Sequence, residues 1–307
     1  MHIVAFGAGG VGGYFGGRLA LSGVDVTFVA RGAHLDAIRA NGLAIRTPDG
    51  DLRVRPAVAT DDVSSIDPPD YLFFAVKLFD TETVAEACRP IVGPDTAVVS
   101  LQNGVEAVDI LNGAFGRERV MGGTVGVAAV ISEPGVITQT GTFNFITVGE
   151  QDGARSARGE ALVTACEKAG ITATLSDDVE VDIWMKMVML TALSNMTCVT
   201  RLPLGAIRAV PETRAMLEAC VAEAVAVGRA RGVALPEDAV AQQMARLDGL
   251  PDAMVASMQH DLTAGKPLEL ERLGGAVVRL GAAAGVPAPT QSFCYGSLKP
   301  FIDGRPT

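Results

Sequence analysis

Histidine is scarce in this sequence, and its cysteines follow no metal or disulfide spacing. The three histidines, His2, His34 and His260, lie far apart along the chain. A structural or catalytic zinc needs three or four such ligands brought together, so no metal site is expected. The five cysteines, Cys88, Cys166, Cys198, Cys220 and Cys294, form no Cys-x-x-Cys pair, and their number is odd. They read as reduced, mostly buried thiols rather than a disulfide framework.

Positive charge is also in short supply. Lys and Arg total 25 against 35 Asp and Glu, for a formal net charge of −10. A nucleic-acid binder needs a basic face to neutralise phosphates, so no nucleic-acid partner is expected. A small anionic substrate is compatible with this balance, because a few cations can serve one pocket. No long apolar run is present either. The most apolar later stretch, 183–199, contains Lys186, Ser194 and Asn195. It reads as a buried helix rather than a membrane span. The chain opens on a strand-like run, His2-Ile3-Val4-Ala5-Phe6, with no cationic region leading into an apolar one. The expectation is a cytoplasmic protein with no membrane partner.

What remains is a globular composition. Hydrophobic residues make up 49% and charged residues 20% of 307 residues, enough for two domains with their own cores. In the first half, short apolar runs alternate with helical segments. Strands are expected at 3–6, 26–30, 71–76, 97–101 and 120–124. Their runs are continuous rather than alternating, as in a parallel sheet covered on both faces. A helix at about 11–22 ends at Gly23 and completes a βαβ unit. Further on, 136–140 and 143–148 flank Gly141-Thr142 and read as an antiparallel hairpin. A helix at about 154–169 and a strand at 172–175 follow. After residue 180 helical signals dominate, at about 182–199, 211–231, 236–247, 251–263 and 267–284. Leu217, Cys220, Val221 and Ala224 form one helical stripe, and Leu270, Leu273, Val277 and Leu280 another. The fold class is therefore α/β. A Rossmann-type doubly wound domain over 1–177 is followed by an all-α domain over 178–307.

Gly7-Ala8-Gly9-Gly10-Val11-Gly12 matches G-x-G-x-x-G. The pattern is weak alone and strong here, because it follows a strand and opens a helix. Gly7 permits the tight turn, Gly9 leaves room for a pyrophosphate, and Gly12 allows close helix–strand packing. The N-terminus of the helix offers free N–H groups to phosphates. At the end of the second strand, where an NAD site wants an acid, the sequence has Ala30-Arg31-Gly32. Arg31 can pair with a 2′-phosphate, so the expected cofactor is NADP.

Other residues are placed to carry chemistry. Lys77 and Asn103 each follow a strand, beside the expected ligand crevice. Lys77 could contact the cofactor or an anion, and Asn103 could bond ribose, nicotinamide or substrate. A surface lysine and a turn asparagine are their structural alternatives. Lys186 lies inside Ile183-Trp184-Met185-Lys186-Met187-Val188. Burying an unpaired ammonium is costly, so it should face a cleft or an anion. A lysine in a partly desolvated site can protonate a carbonyl oxygen as hydride reaches the carbon. The polar edge of an amphipathic helix is the alternative. Glu269, near the start of the last long helix, either stabilises that helix through its dipole or orients a substrate hydroxyl or the lysine. Ser257 could donate to a substrate carboxylate, or be a surface serine.

Taken in order, these motifs resemble the ketopantoate reductase (2-dehydropantoate 2-reductase) family over nearly the whole chain. They comprise GAGGVG at 7–12, Arg31, AVK ending at Lys77, QNG around Asn103, WMK ending at Lys186, ASMQHD at 256–261, and PLELERLGG carrying Glu269. The closing GVPAPTQSFCYGSLKP is similar to the family's final helix. The resemblance implies NADPH-dependent reduction of a 2-oxo acid, most specifically 2-dehydropantoate to pantoate, a step of pantothenate biosynthesis. By that analogy Lys186 protonates the carbonyl oxygen, Glu269 binds the substrate hydroxyl, Ser257 binds its carboxylate, and Asn103 helps hold both ligands. The pattern departs at four polar positions. Leu190 and Ser194 stand four and eight residues after the lysine, where the family carries asparagine, and Leu204 and Met254 replace two more. Leu190 lies almost one turn along the face of Lys186, so an apolar contact replaces a polar one. A more apolar 2-oxo acid, a related hydroxyacid, imine or carbonyl dehydrogenase reaction, and a non-catalytic NADP sensor remain alternatives. The Ala-rich helical domain, with several Met residues, could form a homodimer.

Overall fold

The computed structural model describes residues 1–305. They form two compact units: Met1–Gln102 with Ala107–Val179, and Asn103–Glu106 with the chain from Glu180 onward.

The first unit begins β1 (His2–Phe6), α1 (Gly10–Leu21), β2 (Asp25–Val29) and α2 (Gly32–Asn41). Then come β3 (Leu43–Thr47), β4 (Gly50–Val54), β5 (Val58–Thr60), β6 (Tyr71–Phe74), α3 (Thr81–Cys88), β7 (Ala97–Ser100) and α4 (Ala107–Phe115). It closes with β8 (Val120–Glu133), β9 (Val136–Gly149), α5 (Ala157–Lys168) and β10 (Thr172–Leu175). The sheet order is β4-β3-β9-β8-β7-β6-β1-β2-β5, with β10 beside β9. From β8 through β5 every pairing is parallel, and β1 is flanked by β2 and β6. The continuous apolar runs have the cause expected of them. Alternate residues enter two cores, with Ile3, Ala5, Phe73 and Val99 on one face. Val4, Leu72, Phe74 and Val98 enter the other.

One sequence expectation fails here, and three strands went unread. Residues 136–148 are not a hairpin about Gly141-Thr142, because 136–149 is one strand, β9. Its partner is β8, and the register shifts between Val127 and Ala129, so that residues 140–143 bulge from the ladder. The tight turn is instead Pro134-Gly135, where Gly135 takes φ +77°. There Pro134 fixes the preceding φ and Gly135 adopts the positive φ without steric cost. The β3–β4 hairpin and the short strand β5 escaped the sequence reading. Their apolar residues are few and interrupted by Arg46, Asp51 and Arg53, so they lack the continuous runs of the central strands.

The second unit contains α6 (Val179–Thr200), α7 (Leu204–Ala209), α8 (Pro211–Ala230), α9 (Ala239–Gly249), α10 (Ser257–Ala264), α11 (Gly274–Ala284) and α12 (Pro289–Leu298). Among the described residues no strand follows β10. The stripe Leu217, Cys220, Val221 and Ala224 is fully buried on α8. Pro211 opens that helix at its first turn, where the missing N–H has no cost. The expected helix 251–263 is shortened to α10, because 250–256 adopts an irregular path before it. The expected helix 267–284 is divided. Glu269–Arg272 is a separate 3-10 turn, and Leu273, at φ −108° and ψ −99°, breaks it from α11. The apolar stretch 183–199 is interior to α6, and no described helix is long and apolar enough to cross a membrane.

Candidate functional site

In the first unit the glycine turn leaves the C-terminal end of β1 and enters α1 at Gly10. Gly7 stands at φ +94°, and a Cβ there would lie 2.9 Å from the Ala75 backbone. A Cβ on Gly12 would collide with the Gly7 carbonyl and lie 3.0 Å from Ala75 Cβ. At Gly10 it would overlap the Ala129 carbonyl of β8. A Cβ on Gly9 meets nothing within 4 Å. The turn is thus packed tightly on its protein side and open over Gly9. A dinucleotide pyrophosphate needs that combination, so the residues present fit such a group.

Arg31 and Lys77 follow β2 and β6, the two strands hydrogen-bonded to β1. Both side chains are exposed, with the Arg31 side chain at 89% of its free accessibility. Its guanidinium is 3.6 Å from Asp80, an acid the sequence reading passed over. Gln102, also passed over, donates from Nε2 to the Val76 carbonyl at 3.1 Å and to Thr81 Oγ1 at 2.8 Å. It ties the loop after β6 to the end of β7 and so fixes the turn that carries Lys77. No periodicity points to such a buried amide; only its place after a strand does.

Lys186, Glu269, Ser257, Leu190, Ser194 and Asn103 all belong to the second unit. Lys186 is half-buried on α6. Desolvation pulls its pKa down from 10.5 to about 8, while the nearby Glu269 carboxylate opposes that fall. Glu269 is 8% exposed, in the 3-10 turn rather than in a long helix. The fold therefore brings together two residues 83 positions apart, as an ammonium and a carboxylate in a poorly hydrated place. Leu190, one turn on, is half-buried. Ser194 is 1% exposed, and its hydroxyl has no hydrogen-bond partner among the described residues. The neighbouring Asn195 is instead consumed structurally, donating to Gln291 Oε1 at 2.6 Å, while Gln291 donates to the Cys220 carbonyl at 2.9 Å.

Ser257 is exposed at the first position of α10, after Ala256 as N-cap. Unsatisfied N–H groups there favour a carboxylate. Leu204 and Met254 are held side by side, the Leu204 N–H donating to the Met254 carbonyl at 2.9 Å. Leu204 is fully buried. Asn103 is half-buried in the segment 103–106. Glu106 anchors that segment, its Oε1 and Oε2 accepting from Arg279 Nη2 at 3.0 and 2.7 Å, and Oε2 also from Arg272 Nη1 at 3.5 Å. Arg272 is the last residue of the turn that begins with Glu269. Sequence reasoning gave no role to Glu106, Arg279 or Arg272, although the last lies within the PLELERLGG segment.

The family description "Ketopantoate reductase PanE/ApbA" matches residues 3–153, and its C-terminal counterpart matches residues 178–301. A 2-dehydropantoate 2-reductase of Mesorhizobium japonicum is 34% identical, with 94% of each chain covered. The crystal structure of a PanE/ApbA family ketopantoate reductase from Ralstonia eutropha JMP134 superposes with a TM-score of 0.89 at 31% identity, over 98% of each chain. A ternary structure of D-mandelate dehydrogenase with NADH and anilino(oxo)acetate shares the fold at a TM-score of 0.90 and 20% identity, again over 98% of each chain. With both halves of the family description matched in order, this chain belongs to the ketopantoate reductase family.

Proposed function

We propose that the protein is an NADPH-dependent reductase of 2-oxo acids, with 2-dehydropantoate to pantoate as its leading reaction. The observation that carries the proposal is the Lys186–Glu269 pair, whose ammonium is destabilised by burial to a pKa of about 8. A reduced nicotinamide dinucleotide supplies the hydride in such a reaction. Lys186 holds a proton for the carbonyl oxygen, and a pKa near the working pH suits a general acid. Glu269 keeps that ammonium charged and accepts from a substrate hydroxyl. Ser257 and the first N–H groups of α10 receive the carboxylate, and Asn103 donates to the bound ligands. The buried hydroxyl of Ser194, without a partner among the described residues, supplies one more polar contact for substrate.

On the first unit, Gly7, Ala8, Gly9, Gly10, Val11 and Gly12 cradle the pyrophosphate. Arg31 pairs with the 2′-phosphate, and Lys77 adds a cation beside it. The names of the relatives support the substrate, and the NADH held by the D-mandelate dehydrogenase supports a nicotinamide cofactor. Leu190, Leu204 and Met254 favour a second reading, a 2-oxo acid with a more apolar side chain.

The deciding experiment follows NADPH and NADH oxidation with a panel of 2-oxo acids, from 2-dehydropantoate to bulkier apolar ones. The expected outcome is turnover of 2-dehydropantoate with preference for NADPH, and loss of that preference in Arg31→Ala. Turnover confined to apolar acids favours the second reading. No oxidation with any acid, despite tight dinucleotide binding, overturns both.

A further inference from the structure

His34 is a histidine with two defined partners and no role assigned so far. It lies in the first turn of α2, three residues after Arg31. Its Nδ1 accepts from the Gly135 N–H at 3.0 Å, so that nitrogen carries no proton. Its Nε2 must then carry the proton and donate to the Ala8 carbonyl at 2.8 Å. The tautomer is fixed by a donor on one side and an acceptor on the other. Gly135 is itself held. Its carbonyl accepts from the Ala44 N–H at 2.9 Å, and a Cβ there would lie 2.9 Å from Ala37 Cβ on α2.

Ala8 is the second residue of the glycine turn, and the peptide plane that carries its carbonyl also carries the Gly9 N–H. A trans peptide sets these two groups in opposite directions. Drawing the Ala8 oxygen toward His34 therefore turns the Gly9 N–H away from His34, on a residue where an added Cβ would meet nothing within 4 Å. The Ala8 and Gly7 N–H groups are already committed to the Val29 carbonyl, at 3.0 and 3.2 Å.

We infer that His34 is a positioning residue for the anion cradle, holding the Ala8–Gly9 peptide in the orientation that receives a pyrophosphate and bracing it against the Pro134-Gly135 turn. The inference rests on the dinucleotide reading above. It assigns His34 to the pyrophosphate and not to the 2′-phosphate, which belongs to Arg31.

The test compares wild type, His34→Leu and His34→Gln. Leucine fills the ring's volume without hydrogen bonds. Glutamine offers an N–H and a carbonyl that can restore both. Dissociation constants are measured by fluorescence for NADPH and by calorimetry for adenosine 2′-monophosphate, which lacks a pyrophosphate. His34→Leu is expected to weaken NADPH on the order of tenfold, the size of one or two lost hydrogen bonds. Adenosine 2′-monophosphate should be held as in wild type, and glutamine should restore most of the NADPH affinity. Equal loss for both ligands, or no rescue by glutamine, overturns the inference. Should the leucine variant not fold, nitrogen-15 spectra of the wild-type imidazole decide: a neutral Nε2–H tautomer supports the inference, and any other state overturns it. Failure of wild type to bind any nicotinamide dinucleotide is a separate result, and removes the cofactor reading itself.

Discussion

At Lys186 two effects oppose each other. Removal of water from the ammonium lowers its pKa, Glu269 raises it, and desolvation prevails, at about 8. The consequence for catalysis has a definite sign. Below about pH 8 the ammonium holds its proton, and above it the proton is lost, so, with Lys186 as the proposed acid, kcat/KM for carbonyl reduction should decline as pH rises through that value. Lys186→Ala should lower kcat roughly 100-fold, the usual worth of a positioned acid, and abolish this limb of the profile. Steady-state rates from pH 6 to 10 check both; an unchanged profile in the variant assigns the proton to another group. Stability moves the opposite way. Between about 8 and 10.5 the unfolded chain binds more protons at this site than the folded one, so raising pH through that window relieves a penalty that is full below it. Lys186 was legible from sequence because an ammonium inside an apolar run is a physical anomaly. Glu269 was not legible on such grounds, since a carboxylate near a helix start has an ordinary explanation, and only the resemblance joined the two. His34 and Glu106 were invisible, because their partners lie 26 or more residues away in sequence.

The elements show why some parts were legible and others not. β1, β6 and β7 announce themselves because both their faces are buried, so their apolar runs are unbroken. α1 announces itself through its glycines, which the packing requires. Gly12→Val would force a branched side chain against the Gly7 carbonyl and Ala75, at a cost of roughly 1–3 kcal/mol for overpacking. A lower urea midpoint together with weaker dinucleotide binding is the expected result, and an unaltered midpoint would mean that α1 is not seated this closely. The β8–β9 hairpin misled because its strands are longer than a local pattern reveals. A bulge at 140–143 imitates a turn, and the real turn is announced only by Pro134-Gly135. The break at Leu273 was hidden for a related reason. Its apolar side chain keeps the helical stripe intact while its backbone leaves the helix.

For the molecule as a whole, the parallel order around β1 follows from alternating strands and helices, which the sequence displays openly. The mixed extension through β9, β3 and β4 does not follow, because its one parallel pairing, β3 with β9, joins strands distant in sequence that leave no local trace. A ligand that binds only the folded chain stabilises it by mass action. NADPH at about 100 times its dissociation constant should add about 2.7 kcal/mol to unfolding, visible as a rise in the thermal midpoint. Absence of any rise at saturating NADPH contradicts the cofactor assignment.

The grouping of Asn103–Glu106 with the chain beyond Glu180 has a consequence for anyone who would take the protein apart. The helical unit is not one uninterrupted length of polypeptide. A fragment ending at Val179 carries Glu106 away from Arg272 and Arg279, and a fragment starting at Glu180 begins without Asn103 and with both guanidiniums parted from the Glu106 carboxylate, Arg279 keeping Glu271 at 2.9 Å. Severing the backbone once cannot yield both halves intact; the short passage between β7 and α4 stitches them into one inheritance.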